Sequence, residues 1–250
     1  MERLILVITI ITFLLGSCLS CAQTIQRTIL ADPIHNPEIA YLSIAMVGSM
    51  PNKESKKVEG FRQHIATAWA LNNRYLLTAG HFCSGVEKRS ELGEDSEQVR
   101  LYRHGSDGLL KDDEIFATIT KIDEEKDLCL LESPEHPFLP LELATSLNNV
   151  YTGDRVSIIG APYGIFPVRT DGYIIQRHAE SWPHKLSSWL GDPNRLLFIS
   201  ANVGPGNSGG PVMFNDKVIG IIVLLIYKPH ESCMAVPIYD IHEFIVDYVN

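Results

Sequence analysis

Asn202-Val203-Gly204-Pro205-Gly206-Asn207-Ser208-Gly209-Gly210-Pro211-Val212 is the stretch on which the reading turns. Glycines crowd around a single serine. They permit a tight loop that brings backbone N–H groups close to a ligand. A Gly/Ser-rich turn between two strands is the plainer reading, but Gly206-Asn207-Ser208-Gly209-Gly210-Pro211 is more specific than a turn requires. Two earlier segments share the pattern of an apolar strand next to a titratable residue. In Tyr75-Leu76-Leu77-Thr78-Ala79-Gly80-His81-Phe82-Cys83 a strand runs into His81. Taken alone, a histidine after a strand is most often structural. In Asp127-Leu128-Cys129-Leu130-Leu131 an acid opens a buried strand; alone it would only cap exposed amides. Asp123 competes with Asp127, but no apolar strand follows it.

Around these segments the chain reads as many short strands separated by turn residues. Candidates are 38–47, 63–71, 74–78, 98–102, 115–122 and 128–131, then 156–159, 173–176, 196–200, 211–214, 218–226 and 234–236. Asn72-Asn73 and Asn215-Asp216 supply tight turns. Such spacing indicates an all-β sandwich or barrel. Ile238, Ile241, Ile245, Tyr248 and Val249 recur at helical spacing, which predicts one amphipathic helix over 238–249. Residues 53–57 and 87–97 are polar and read as exposed loops. No internal repeat is visible.

In the order His81, Asp127, Ser208, the three segments together resemble the trypsin-like serine proteases of chymotrypsin fold, and most of all the bacterial HtrA-type branch. Thr78-Ala79-Gly80-His81 matches that family's histidine motif. Asp127-Leu128-Cys129-Leu130-Leu131 resembles its aspartate segment, and Gly206 to Pro211 matches its nucleophile motif. Met234-Ala235-Val236-Pro237-Ile238 resembles the last strand and its exit into the final helix. The resemblance covers 61–250. It implies two packed antiparallel six-stranded β-barrels with a C-terminal helix: a first barrel over 38–140, a second over 141–237, and the helix over 238–249.

The implied function is serine endopeptidase action through an acyl-enzyme at Ser208. His81 would act as general base and then general acid, and Asp127 would fix its tautomer. The backbone N–H groups of Gly206 and Ser208 would form the oxyanion hole. Protein or peptide substrates are implied, with no metal and no organic cofactor. From a different class, the alternative is a protease-like binding or scaffold protein with little turnover; a third reading is an esterase using the same three residues. PDZ modules, common in the HtrA-type branch, are not expected in this chain.

Departures from the family pattern are informative. Asn207 stands where trypsin-like zymogens have Asp, so activation by pairing with a newly cut N-terminus is not expected. Val223 lies where Ser or Thr often supports the catalytic Asp, and Val cannot do so. Leu225 falls where a small residue often keeps the primary pocket open. Asn202, six before the nucleophile, gives that pocket an uncharged base. Together Asn202, Val223 and Leu225 point to small or medium uncharged substrate side chains rather than Arg or Lys. The family's usual disulfide beside the histidine is also expected to be absent, because 63–71 contains no cysteine to meet Cys83.

Composition sets the outer bounds. The chain has 250 residues, 45% hydrophobic and 20% charged, which suits a globular protein with a sizeable core. A net charge of −9 argues against nucleic acid as a partner, because neutralising phosphate needs Lys and Arg. Residues 4–16 form a continuous apolar run followed by small residues. That run has the length of a signal-peptide core and is short for a membrane span. The N-terminal 22 residues therefore read as a leader and 23–250 as the protease domain, in a secreted or periplasmic protein. Leu15-Gly16-Ser17-Cys18 resembles a lipobox, in which Cys18 would carry lipid; cleavage after Ala22 and an uncleaved anchor are the alternatives. Two of the five cysteines fall in the leader, leaving Cys83, Cys129 and Cys233. At most one disulfide can form among them. Cys129 sits inside an apolar run, so free buried thiols are the expected state.

Overall fold

Tyr75-Leu76-Leu77-Thr78-Ala79 and Leu128-Cys129-Leu130-Leu131-Glu132 are buried along almost their whole length, and they pair antiparallel with Ala79 opposite Leu128. Continuous apolar runs of this kind suit strands covered on both faces. Around this pair the computed structural model, which describes residues 42–50, 64–91, 98–104, 110–134, 136–177, 195–226 and 232–249, closes a barrel. Its strands are β1 (Ile44–Met50), β2 (Ile65–Ala70), β3 (Tyr75–Ala79), β4 (Gln98–His104), β5 (Leu110–Asp123) and β6 (Leu128–Glu132), in the order β1-β2-β3-β6-β5-β4. A second closed barrel has β7 (Arg155–Gly160), β8 (Val168–Gln176), β9 (Leu197–Ser200), β10 (Pro211–Phe214), β11 (Lys217–Ile226) and β12 (Ser232–Pro237), in the order β10-β11-β12-β9-β8-β7. Read backwards, the second order repeats the first. The topology is thus duplicated although the sequence shows no repeat, because a barrel constrains alternation and turn placement and leaves residue identity free.

The all-β architecture with two six-stranded antiparallel barrels and a C-terminal helix is the one the sequence leads to. Two helical features differ. Helix α1 (Gly80–Glu91) occupies part of the stretch read as a polar loop. Among the described side chains of this helix, Phe82, Cys83 and Val86 enter the first barrel's core, a one-turn stripe too short to register as periodicity. The C-terminal helix α2 (Ile238–Ile245) stops short of 249. The leader and the chain as far as residue 41 lie outside the described residues. Among the described residues, no helix is long and apolar enough to cross a membrane.

The cysteine expectation is overturned. Cys83 and Cys129 form a disulfide with a Cα–Cα distance of 6.4 Å. Both are fully buried in the first barrel's core, where α1 lies against β6. The β3–β6 register and the turn into α1 bring the two together; neither is visible from the apolar surroundings of Cys129. Among the described residues, Cys233 is the free thiol.

The barrels are stitched by the segment between them. Leu141 donates its N–H to Ala70 of β2 at 3.0 Å, and Ala144 donates to Val218 of β11 at 2.9 Å. Helix α2 returns to the first barrel: Lys121 Nζ of β5 donates to the Phe244 carbonyl at 2.7 Å, a cation at a helix C-terminus. Asn72 Nδ2 holds the Tyr248 carbonyl at 3.1 Å, and the Tyr75 and Tyr248 rings meet edge to face at 5.3 Å.

The disulfide closes a loop with a sequence separation of 46. Replacing both Cys83 and Cys129 by Ala should lower unfolding free energy by about 2–4 kcal/mol. Urea unfolding of wild type and variant, without reductant, measures this.

Candidate active site

His81 and Asp127 are brought together by the strand pair that opens the fold. Ala79 lies opposite Leu128, so the next residue along β3 faces Asp127. Gly80 donates its N–H to the Asp127 carbonyl at 2.9 Å. A Cβ at Gly80 would fall 2.9 Å from both Asp127 C and Leu128 N, so only glycine allows this approach. Asp127 itself takes a left-handed conformation (φ 54°) where the turn enters β6. Few non-glycine residues do so, and such outliers cluster at functional sites. The turn before it is fixed by Lys126, whose N–H binds Asp123 Oδ1 at 2.9 Å. That gives Asp123 a structural task and leaves Asp127 as the acid that meets His81.

Asp127 grips His81 at two points. Oδ1 accepts the backbone N–H of His81 at 2.5 Å, and Oδ2 meets ring Nδ1 at 2.8 Å. A carboxylate only accepts, so Nδ1 carries a proton, and in the neutral ring it is Nε2 that presents a lone pair. Asp127 is buried, whereas the His81 side chain is 47% exposed. The ring thus has one edge fixed in the protein and one edge free. Among the described residues, the carboxylate receives no hydrogen bond from any side chain other than His81. The Cys83–Cys129 disulfide lies two residues beyond each member of this pair and locks α1 onto β6 beside it.

Ser208 sits in the loop from β9 to β10, in the other barrel. Its carbonyl accepts the Thr67 N–H at 2.8 Å. The Thr67 carbonyl in turn accepts the Thr78 hydroxyl at 2.8 Å, three residues before His81. A chain of hydrogen bonds therefore links the two halves of the site. No hydrogen bond joins the Ser208 hydroxyl to His81 among the described residues; such bonds are often long before substrate is bound.

The loop holds its peptide groups in one orientation. The Pro205 carbonyl accepts the Tyr163 N–H at 2.6 Å. In a trans peptide the N–H of Gly206 must then point the opposite way. Gly206 has φ 102°, and a Cβ there would fall 2.1 Å from the Ala161 carbonyl oxygen. Asn207 donates to the Gly204 carbonyl at 3.0 Å and accepts from the Gly210 N–H at 2.8 Å. Among the described residues, the N–H groups of Gly206 and Ser208 have no acceptor. Two unpaired donors two residues apart, next to a serine, form a place for a negatively charged oxygen.

The remaining singled-out residues are placed as follows. Asn202 is exposed near the start of the loop. Val223 is buried in β11, and the ladder to β12 skips it: Ile222 pairs with Ala235 and Leu224 with Met234. Leu225 is half-buried and pairs with Cys233. Burial pushes the Cys233 thiol up to about 12, so it stays protonated and is no rival nucleophile. Among the described residues, no group of three or more His, Cys, Asp or Glu could hold a metal ion.

Sequence reasoning missed Thr67 and Tyr163. Thr67 is the one polar residue in Ile65-Ala66-Thr67-Ala68-Trp69-Ala70, which is its only signal. Tyr163 follows Pro162 and precedes Gly164, a turn pattern, and takes φ 54° with an exposed ring.

A model of the trypsin-like peptidase domain matches residues 66–221, more than half of the chain. The magnetosome formation protease MamE of Paramagnetospirillum magneticum is 30% identical over 139 residues, covering 54% of this chain and 18% of that protein. Protease Do-like 1, chloroplastic, of Arabidopsis thaliana is 29% identical over 123 residues, covering 48% of this chain and 27% of that protein. The chain thus spans under a third of the length of either relative. Among solved structures, the active form of the M. tuberculosis Rv3671c protease superposes with a TM-score of 0.62 at 22% identity, over 84% of this chain and 83% of that one. That likeness is one of fold.

Gly80→Ala must push Asp127 away from β3. It should lower unfolding free energy by about 1–3 kcal/mol, the usual cost of overpacking. Thermal and urea melts of the variant against wild type give the value.

Proposed function

Because this chain belongs to the trypsin-like peptidase family, we propose that it is a serine endopeptidase that hydrolyses protein or peptide substrates through an acyl-enzyme at Ser208. The observation that carries this reading is the two-point grip of Asp127 on His81, at 2.5 and 2.8 Å. It orients an imidazole with a free lone pair, which a weak serine nucleophile needs.

The steps follow from the groups present. His81 Nε2 takes the Ser208 hydroxyl proton as Oγ attacks the scissile carbonyl. The negative charge on the carbonyl oxygen is met by the N–H groups of Gly206 and Ser208, which need not reorganise. As the tetrahedral intermediate collapses, imidazolium gives its proton to the leaving amine. Asp127 stabilises that imidazolium throughout. Water then attacks the acyl carbonyl as His81 takes its proton, and the imidazolium returns that proton to Ser208 Oγ as the C–Oγ bond breaks and the acid leaves. The stretch of β11 around Val223, where the ladder to β12 skips a residue, is the candidate for backbone pairing with substrate. Asn202 and Leu225 would bound the side-chain pocket, with an uncharged preference.

Val223 in place of a supporting hydroxyl favours one second reading, a protease-like binding protein with little turnover. We place the protein outside the cytoplasm. The apolar run at 4–16 supports this, and so does the Cys83–Cys129 disulfide, which suits an oxidising compartment. A lipid at Cys18 would tether it to a membrane.

Activation by trimming is not needed on this reading, because the Ser208 loop is already held by its own hydrogen bonds. The test uses the mature chain without trimming near 30–40, its Ser208→Ala variant, a fluorophosphonate probe and unfolded casein. Wild type should label and cleave, and Ser208→Ala should lose both, with turnover down by about 10⁴-fold or more. No labelling of folded wild type would favour the binding protein. Activity confined to the trimmed chain would contradict self-ordering of the loop.

A further inference from the structure

Thr67 belongs to the first barrel, yet much of its bonding capacity is spent on the second. It is fully buried in β2, where Ala66, Ala68 and Ala70 face the first barrel's core. Alternation along a strand sends the Thr67 side chain the other way. A buried hydroxyl needs partners. Thr67 Oγ1 donates to the Gly206 carbonyl at 2.7 Å and accepts the Ala161 N–H at 3.0 Å. The direction is unambiguous, because a carbonyl can only accept and an amide N–H can only donate. Space for the hydroxyl is kept by Gly160, whose Cβ would fall 3.0 Å from Thr67 Oγ1.

We propose that the Thr67 hydroxyl is the positioning group of the oxyanion hole. Pro205 C=O is held by Tyr163, Gly206 C=O by the Thr67 hydroxyl, and Ser208 C=O by the Thr67 amide. Glycine turns about its backbone at little steric cost, so an unpinned Gly206 could swing its N–H out of line. With its own carbonyl and the preceding one both fixed, it cannot. The same threonine thus fixes the donor at Gly206 through its side chain and the serine through its main chain. Ala161, bonded to the same hydroxyl, also opens the turn that presents the Tyr163 N–H to Pro205. One residue therefore registers three pieces of backbone around the place where charge develops, Gly206 and Ala161 through its hydroxyl and Ser208 through its amide.

Thr67 touches neither substrate nor reacting atoms, so its effect falls on the transition state and spares ground-state binding. The proposal rests on Ser208 being the nucleophile. The test uses the full mature chain as wild type, Thr67→Val, Thr67→Ser and Ser208→Ala, with labelled unfolded casein and the fluorophosphonate probe. All assays run below the melting temperature of every variant. Thr67→Val keeps the shape and removes the hydroxyl. Its kcat should fall about 10–100-fold, the scale set by a small misplacement or partial loss of an oxyanion donor, with KM within about 2-fold of wild type. The probe's labelling rate should fall in step. Thr67→Ser restores the hydroxyl and should return kcat to within about 3-fold of wild type. If Thr67→Val does not melt cooperatively, Thr67→Ala carries the same comparison. A merely structural threonine would lower the melting temperature and leave kcat of the folded fraction unchanged. Wild-type kcat in Thr67→Val, a loss confined to KM, or a loss that Thr67→Ser does not restore would overturn the assignment while Ser208 stands. A wild type no more active than Ser208→Ala would overturn the nucleophile and Thr67 together.

Discussion

The hydrogen bonds that cross from β2 to the Ser208 loop are the constraint on which the rest of the site depends. His81 and Asp127 stand on one barrel and Ser208 on the other. Neither barrel can build a nucleophile–base pair alone. The Thr67 N–H on the Ser208 carbonyl, at 2.8 Å, and the Thr67 hydroxyl on the Gly206 carbonyl, at 2.7 Å, fix the relative position of the two halves at the point where chemistry would occur. Buried in a low-dielectric seam, these bonds are well shielded from competing water, and leaving any one unmade would be costly.

On each side of the seam the chain adds local rigidity. In the first barrel the register that sets Ala79 against Leu128 delivers His81 to Asp127, and the disulfide two residues further along ties α1 to β6. In the second, the loop uses its carbonyls as anchors and, among the described residues, leaves the N–H groups of Gly206 and Ser208 without an acceptor. Unpaired donors near a protein interior carry a desolvation cost. An oxyanion bound there, as the proposed mechanism requires, would recover that cost. The hydrogen bonds that hold the Ser208 loop involve neither Val223 nor Leu225.

What the sequence made legible was chemistry carried by local turns. Gly206 to Pro211 announces itself because a loop with these backbone angles needs glycines at fixed places. Thr78-Ala79-Gly80-His81 does so because Gly80 must let Asp127 approach. The spacing of apolar runs and turns indicated an all-β sandwich or barrel, and the family resemblance selected two six-stranded barrels. What stayed hidden depends on three-dimensional register. Cys83 and Cys129 meet only once β3 has paired with β6, so an apolar setting pointed to a free thiol. Helix α1 has one buried turn and reads as a polar loop. Thr67 is a lone hydroxyl among alanines, and its meaning comes from a loop 139 residues away. Relationships of that kind leave almost no trace in a single sequence.

The most direct test of the account is a crystal structure of the protein after reaction with a fluorophosphonate. The account requires phosphorus bonded to Ser208 Oγ, with the phosphonyl oxygen about 2.7–3.1 Å from the N–H groups of both Gly206 and Ser208. It also requires the Gly206 carbonyl still on the Thr67 hydroxyl. A phosphonylated residue other than Ser208, or an oxygen turned away from those two donors, would contradict it.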